Sequence, residues 1–252
     1  MYEYDLITPF YDIEHDRFTE DQDMYRNYAE LSGGKILELA CGSGRMLLPL
    51  AEEGYELTGV DSSEKMLEMA HQRLQEKGLL SHCQLIKQDI RTLQLGQKYR
   101  LAFIALGSFG HITTRRDQQS TLAAIRAHLS PGATLIIDIS NGDARYMEDL
   151  SGQVLHQGTW QTQDGSYMTH FVSPAASSEK HLLELTHFYE RHRQGGPVER
   201  TVITTQLYLF ERSEMELLLE RAGFMLKNVY GNYDLSPFEL GSPRMICVSE
   251  AH

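Results

Sequence analysis

A segment rich in small residues follows the first strongly apolar run of the chain. It reads Glu-Leu-Ala-Cys-Gly-Ser-Gly-Arg over residues 38–45. Glycines let a chain turn tightly and let ligand atoms approach the backbone, and the helix that follows offers free N–H groups. Glu38 lies within the preceding strand, where a buried carboxylate is costly unless it has hydrogen-bond donors or a cationic partner. The pattern predicts a ligand-binding turn, and the alternative is a Glu at an exposed edge beside a tight turn.

The turn matches the fingerprint of a dinucleotide-binding site only in part. A dinucleotide fingerprint needs a third Gly or Ala after Gly42-Ser43-Gly44, but Leu47 stands there. A pyrophosphate site also has no use for an acid inside the preceding strand. Asp61 follows the turn by about 20 residues, the spacing typical of an acid that accepts ribose hydroxyls. Asp61-Ser62-Ser63-Glu64 is also a good helix-capping sequence.

The segment 107–112, Gly-Ser-Phe-Gly-His-Ile, follows the fourth predicted strand. His111 is the best candidate for a general base because imidazole titrates near neutrality, and Phe109 is expected to wall a cleft. The alternative for His111 is a solvent-exposed loop histidine.

The turn resembles the cofactor loop of class I S-adenosylmethionine (SAM)-dependent methyltransferases, in which an acid is followed by three residues and Gly-x-Gly. The resemblance implies SAM as cofactor, a ribose role for Asp61, and contacts of Asp89 and Ile90 with adenine. The alternative for Asp89 is an N-cap of the following turn. The cofactor-binding residues implied are Glu38, Ala40, Gly42, Gly44, Asp61, Ser62, Asp89, Ile90 and Leu106.

Two further segments resemble small-molecule methyltransferases, including the sugar N,N-dimethyltransferases. One is Ser-Phe-Gly-His at 108–111. The other is Tyr11-Asp12, which is similar to that family's N-terminal tyrosine over the cofactor. An aromatic face attracts a sulfonium by cation–π contact, so Tyr11 joins His111 as a candidate catalytic residue. Hydrophobic anchoring of the terminal segment is the alternative for Tyr11.

Alternating strands and helices must position these residues. Residues 35–140 alternate strictly between the two, with buried runs such as KILELA and TLIIDI, which predicts a Rossmann-like, doubly wound, mostly parallel sheet of seven strands. Residues 153–211 instead hold four strand-like runs separated by turn signals, among them Pro174. We expect an antiparallel β insertion, forming a lid or acceptor subdomain, within a single domain spanning 1–252. Residues 1–19 lack clear periodicity.

Composition narrows the classes of partner. The formal charge of −12 disfavours a nucleic-acid substrate, and no stretch has the apolar length that a bilayer span needs. Three distant cysteines and an acidic, aromatic N-terminus indicate a cytoplasmic protein without a disulfide framework, a metal site or a membrane partner. We expect a monomer or a homodimer.

These observations predict a SAM-dependent methyltransferase that acts on a small-molecule acceptor by in-line displacement, with an amine favoured over a hydroxyl. Two alternatives from other classes are a nicotinamide-dependent oxidoreductase and a SAM-binding module without catalysis.

Overall fold

The structure is a computed structural model that describes residues 4–141, 151–177, 179 and 181–252. Its strands are β1 (Ile36–Leu39), β2 (Leu57–Asp61), β3 (Cys83–Lys87), β4 (Tyr99–Ile104), β5 (Leu129–Ser140), β6 (Leu155–Gln161), β7 (Tyr167–Ala176), β8 (Leu182–His192), β9 (Val198–Tyr208), β10 (Phe224–Tyr230) and β11 (Arg244–Ala251). Its helices are α1 (Tyr4–His15), α2 (Gln22–Ser32), α3 (Leu47–Glu52), α4 (Glu64–Glu76), α5 (Arg115–Ala127) and α6 (Arg212–Arg221).

Contacts divide the chain into two units. The larger unit comprises residues 19–141 and 210–252, and the smaller unit comprises the described residues of 1–18 and 142–209. No helix within the described ranges is long and apolar enough to cross a membrane.

A seven-stranded sheet forms the larger unit, in the order β10-β11-β5-β4-β1-β2-β3. The strands from β3 to β5 pair in parallel, whereas β11 is antiparallel to both β5 and β10. Central strands are buried on both faces, which is why their sequences are continuously apolar: Leu37, Phe103 and Ile136 are all 0% exposed. The predicted doubly wound, mostly parallel sheet is confirmed.

Helix boundaries in the larger unit follow local signals. Helix α2 ends at Gly33, whose φ of 60° is the left-handed conformation that suits glycine. The Thr114 hydroxyl accepts a hydrogen bond from the Asp117 N–H at 3.1 Å and caps α5. Helix α4 buries the predicted apolar face of Met66, Leu67, Ala70 and Leu74.

The smaller unit contains a four-stranded antiparallel sheet in the order β6-β7-β8-β9. The four predicted runs are therefore confirmed as strands. Helix α1 belongs to the same unit, and Ile7 forms a buried cluster with Met168, Tyr189 and Ile203. The Phe10 ring stacks on Tyr189, with centroids 4.4 Å apart.

Three details differ from expectation. Residues 4–15 form a helix because Ile7, Phe10 and Tyr11 are spaced by three and four residues, a short stripe that Pro9 obscures in the sequence. Pro174 lies inside β7 rather than in a turn: the pairing of β7 with β6 ends at Val172, so the N–H that proline lacks is not required there. The Pro-Gly pair at 131–132, which predicts the end of the preceding helix, belongs instead to β5, where the pairing with β4 skips from Leu129 to Thr134.

Candidate active site at the carboxyl edge of the larger sheet

The sheet order brings the ends of four parallel strands side by side. Strands β4, β1, β2 and β3 are consecutive neighbours, and the predicted cofactor residues lie at or just beyond their carboxyl ends. In open α/β sheets, ligands bind in the crevice outside these ends. The edge is therefore where the larger unit can hold a ligand.

The turn after β1 has an unusual backbone. Ala40, Gly42 and Gly44 have φ values of 54°, 53° and 78°, and left-handed conformations in residues other than glycine are uncommon and cluster at functional sites. The Gly44 N–H donates to the Cys41 carbonyl at 3.0 Å. A Cβ on Gly44 would lie only 3.1 Å from the Cβ of Ala70 on α4, so glycine is needed here for packing as well as for φ.

Glu38 is the most unusual ionisable group of this edge. Its side chain is buried at 4% exposure, and Oε2 has no hydrogen-bond partner among the described residues. Burial raises the pKa of Glu38 to about 8, although the Arg45 guanidinium acts in the opposite direction. An unpaired buried carboxyl of this kind is suited to an incoming cation such as an ammonium group.

Arg45 has a structural role that the sequence did not reveal. Its guanidinium donates to both carboxylate oxygens of Asp21, at 2.8 Å for Nη1 and Oδ1, and the two side chains are almost completely buried. This pair connects the turn to the start of α2 and leaves Arg45 close enough to affect the pKa of Glu38. Paired burial of two opposite charges has no local sequence signal, since 24 residues separate them.

Asp61 lies at the end of β2 and binds the neighbouring turn. Its Oδ2 accepts from the Gly42 N–H and its Oδ1 from the Ser63 N–H, both at 2.8 Å. Ser63, and not Asp61, caps α4 by accepting from the Met66 N–H at 3.2 Å. Each carboxylate oxygen has a second lone pair, so Asp61 can still accept ribose hydroxyls. Ser62 is half-buried beside it.

Asp89 adopts the alternative that the sequence left open. It is the N-cap of a short 3₁₀ helix, Ile90–Thr92, accepting from the Arg91 N–H at 2.9 Å and from the Arg91 guanidinium. The hydrogen bond from the Arg91 side chain lowers the pKa of Asp89, so the carboxylate is ionised at neutral pH. Its contact with adenine, and that of the half-buried Ile90, stay predictions.

The segment after β4 separates two candidates. His111 is half-buried at the end of a 3₁₀ helix, Ser108–His111, which follows β4. It therefore lies beyond the carboxyl end of that strand, and its role as a general base stays a prediction. Phe109 is completely buried and packs on Phe210 at 5.3 Å. The expectation that Phe109 walls a cleft is therefore wrong: as an apolar ring on the inner side of the turn it joins the core.

Asp138, near the end of β5, organises the same edge. It is completely buried and accepts from the Leu106 N–H at 3.0 Å, from the Tyr233 hydroxyl at 2.9 Å and from Arg244 Nε. The Arg244 guanidinium also lies 5.3 Å from the centre of the Tyr233 ring. Burial raises the pKa of Asp138 although Arg244 opposes this shift.

Sequence reasoning missed this network although one signal was available. Asp138 lies within the apolar run TLIIDI, and the argument that a buried acid needs donors applies to it as it does to Glu38. The network holds Leu106, which has a φ of 49°, and gives Tyr233, in the loop between β10 and β11, a structural role. It thus shapes the turn that leads to His111.

Tyr11 belongs to the smaller unit. It lies on α1, packs against the cluster around Tyr189, and its ring centroid is 4.5 Å from that of His15. This packing matches the anchoring alternative, and contact with a cofactor stays a prediction. Within the described parts of the chain, no group of three or more His, Cys, Asp or Glu side chains is arranged to hold a metal ion.

The larger unit fits SAM on its own chemistry. The unpartnered Oε2 of Glu38 suits the ammonium group, the open left-handed turn gives access to backbone atoms, and Asp61 presents a carboxylate at the next strand end. These three features sit on adjacent strands β1 and β2.

Comparison with known proteins agrees with this fit. Residues 36–132 match the family described as a methyltransferase domain. A cypemycin N-terminal methyltransferase from Streptomyces sp is 25% identical over 235 residues, covering 89% of this chain and 86% of the relative. The dTDP-3-amino-3,4,6-trideoxy-alpha-D-glucopyranose N,N-dimethyltransferase of Streptomyces venezuelae is 28% identical over 103 residues, or 41% of each protein.

A solved structure extends the similarity of fold over nearly the whole chain. The sugar N-methyltransferase from Streptoalloteichus sp ATCC 53650 superposes with a TM-score of 0.77 at 20% identity, covering 99% of this chain and 92% of that protein. The matched segment 36–132 contains the glycine turn and Asp61, the two features that the oxidoreductase alternative shared, and that alternative finds no support. Residues 36–132 of this chain thus match a methyltransferase domain, and the relatives and the solved structure that it resembles are methyltransferases.

Proposed function

We propose that the protein transfers the methyl group of SAM to the amino nitrogen of a small, metabolite-sized acceptor. The observation that carries the cofactor half of this proposal is the buried, unpartnered Oε2 of Glu38 beside the left-handed turn. An amine is favoured because two of the relatives are named for N-terminal and N,N-dimethyl transfer. A hydroxyl acceptor is the second candidate.

SAM, when bound, would supply an already activated methyl group for in-line attack by the acceptor nitrogen, with S-adenosylhomocysteine as the leaving group. Glu38 would hold the ammonium group and Asp61 the ribose hydroxyls, beside the left-handed turn that contains Gly42 and Gly44. Alignment of two reactants can account for roughly 7–11 kcal/mol of a barrier. The Asp138 network contributes indirectly by fixing the turn before His111.

His111 would remove a proton from the acceptor. An amine that binds in its protonated form must lose one proton before its lone pair can attack, and a neutral imidazole can accept that proton. Tyr11 would contribute to binding of the acceptor. We further propose that the protein acts in the cytoplasm, as a monomer or homodimer, on neither nucleic acid nor membrane.

The test is a methyl-transfer assay with matched acceptors. Purified protein is incubated with SAM and, separately, with an amino sugar, a peptide with a free N-terminus and a phenol, and S-adenosylhomocysteine is measured. Turnover with one of the two amines and none with the phenol is expected. S-adenosylhomocysteine produced with the phenol alone would contradict the amine assignment.

His111→Ala separates the two acceptor chemistries further. With an amine, we expect a roughly 10²-fold loss of rate near pH 7 that shrinks toward high pH, where solvent deprotonates the amine without help. A loss that stays constant between pH 7 and 9.5 would contradict a role in removing the ammonium proton. Gln in place of the exposed His156 of β6 is the matched control and should leave the rate unchanged.

A further inference from the structure

A chain of hydrogen bonds crosses the sheet of the smaller unit beneath helix α1. Glu14 of α1 contacts His170 of β7 at 3.0 Å, between Oε1 and Nδ1. His170 Nε2 lies 3.1 Å from His187 Nδ1 on β8, and His187 Nε2 lies 2.9 Å from the Thr205 hydroxyl on β9. Four elements are thus joined by three consecutive contacts.

These side chains lie on the face that α1 covers. His170 and Met168 are two residues apart on β7, as are His187 and Tyr189 on β8, so each pair shares a face of the sheet. Met168 and Tyr189 belong to the buried cluster with Ile7. Glu14 continues the helical stripe of Ile7, Phe10 and Tyr11, seven residues after Ile7.

Burial makes these contacts significant. His170 is 4% exposed and Thr205 is 2% exposed. If one of these hydrogen bonds were removed, the buried atom left behind would have no water to bond to. The His170 ring stacks on the Tyr189 ring, with centroids 4.2 Å apart and an angle of 12° between the planes. The rings are therefore held in fixed orientations.

The charge on Glu14 determines the direction of every hydrogen bond. Burial of the carboxyl favours its neutral form, but the hydrogen bond from His170 and the nearby His15 and His187 outweigh this effect and lower the pKa of Glu14. An ionised carboxylate only accepts, so His170 must carry its proton on Nδ1. While both rings are neutral, His170 Nε2 accepts from His187 Nδ1–H, and His187 Nε2 accepts from the Thr205 hydroxyl.

The same geometry limits the chain to one additional proton. A proton added at His187 Nε2 lets His187 Nδ1 release its own proton to His170 Nε2, and His187 Nε2–H then donates to Thr205. His170 becomes an imidazolium beside the Glu14 carboxylate, while His187 stays neutral. A second proton would place two N–H groups against each other across 3.1 Å, which like-charge repulsion disfavours.

We propose that Glu14, His170, His187 and Thr205 form a one-proton relay that positions helix α1, and with it Tyr11, on the sheet of the smaller unit. The groups facing the relay are Glu14 and His15 from α1, His170 from β7, His187 and Tyr189 from β8, and the Thr205 hydroxyl from β9. These are positioning residues. Only the turnover part of the test below rests on the proposed function.

Imidazole tautomers give the most direct test. Long-range ¹H–¹⁵N spectra of the intact protein at pH 8 should show protons on Nδ1 of both His170 and His187. At any pH at which α1 stays protected from exchange, at most one of the two rings should be imidazolium. An Nε2–H tautomer of His170 at pH 8, or two imidazolium rings with α1 still protected, would overturn the proposal.

Hydrogen exchange of residues 4–15 tests the positioning role without any activity. Glu14→Gln and His170→Ala should speed exchange of these amides about tenfold or more, since hydrogen bonds to charged groups are the stronger kind. His170→Gln can still donate to residue 14 and accept from His187, so it should keep most of the protection at pH 8. Unchanged exchange in both Glu14→Gln and His170→Ala would overturn the proposal.

Turnover then separates positioning from cofactor binding. Glu14→Gln should lower kcat at least about fivefold with the Kd for SAM unchanged, because the cofactor residues lie in the larger unit. His156→Gln, on β6 outside the relay, is the control and should change neither quantity. If wild type binds SAM but methylates no acceptor, the proposed function fails, while tautomers and exchange still decide the relay. Faster exchange with unchanged kcat would overturn the link to Tyr11.

Discussion

The two sheets of this protein keep their polar groups in different places. In the larger unit the central strands are apolar, and ionisable groups such as Asp61 and Asp89 gather at the carboxyl edge. In the smaller unit a polar chain runs from Glu14 to Thr205 across the middle of a sheet face. A parallel sheet thus offers a ligand crevice at its edge, whereas the antiparallel sheet uses polar groups to fix a helix that covers it.

The comparison also explains which part of the proposed function the sequence predicts. The edge residues come from short local motifs, since a strand and its following turn are contiguous in sequence. The relay joins α1, β7, β8 and β9, which only the tertiary fold brings together. The sequence therefore predicts the residues that bind the cofactor, but it does not predict those that bind the acceptor.

The largest predicted difference is in stability, between the variants Gly44→Ala and Gly165→Ala. Gly44 and Gly165 both have a φ of 78°, but a Cβ at Gly44 would meet Ala70 at 3.1 Å and one at Gly165 would meet nothing within 4 Å. Both Ala variants should lose about 1–2 kcal/mol for the left-handed backbone. Gly44→Ala should lose about 1–3 kcal/mol more through overpacking, and should also weaken SAM binding.

Thermal unfolding and calorimetric SAM titration measure both effects. An equal fall in Tm for the two variants, with SAM affinity unchanged in each, would show that the turn after β1 is no more constrained than the β6–β7 turn of the smaller unit.

Asp61 and Ser63 test how roles are divided at the end of β2. Asp61→Ala removes the acceptor for the Gly42 N–H and the proposed ribose contact, so the Kd for SAM should rise about tenfold or more. Ser63→Ala removes the cap of α4 and should cost about 1 kcal/mol of stability with SAM affinity within about twofold. Calorimetry that finds the two variants equal in SAM affinity would refute the ribose assignment.

Tyr233→Phe tests the buried network around Asp138. It removes one of the donors to the buried Asp138 carboxylate and should destabilise the protein by about 1–2 kcal/mol in urea unfolding. Tyr167→Phe, on the partly exposed start of β7, is the matched change in the smaller unit and should stay within about 0.5 kcal/mol of wild type. Equal unfolding free energies for both would mean that the Asp138 network does not depend on the Tyr233 hydroxyl.

Much of the fold followed from the sequence because each signal was local. Buried runs such as KILELA predicted the parallel strands, and in the structure α2 ends and α5 begins at local signals, Gly33 and Thr114. Helix α1 escaped because Pro9 interrupts its short stripe, and its stability comes from packing on Tyr189 rather than from propensity.

Of the candidate site, Glu38 and Asp61 were predicted from their places within β1 and at the end of β2. The buried contacts of Arg45 with Asp21 and of Tyr233 with Asp138 were not predicted, because only tertiary structure brings these residues together. The one signal that was overlooked is Asp138 itself, an acid inside an apolar strand.

The central claim is that the buried carboxyl of Glu38 receives the ammonium group of SAM. A pKa raised to about 8 keeps this carboxyl mostly protonated at pH 7 in the free protein, and a bound cation favours the charged form, so binding must expel the proton. SAM affinity should therefore rise as the pH approaches about 8, above which the α-amino group of SAM itself loses its proton.

Calorimetric titration of SAM at pH 7, in buffers of different ionisation enthalpy, counts that proton. We predict release of most of one proton by wild type that disappears in Glu38→Gln, together with a weaker SAM affinity in that variant. Equal proton release and equal affinity for the two proteins would contradict the account.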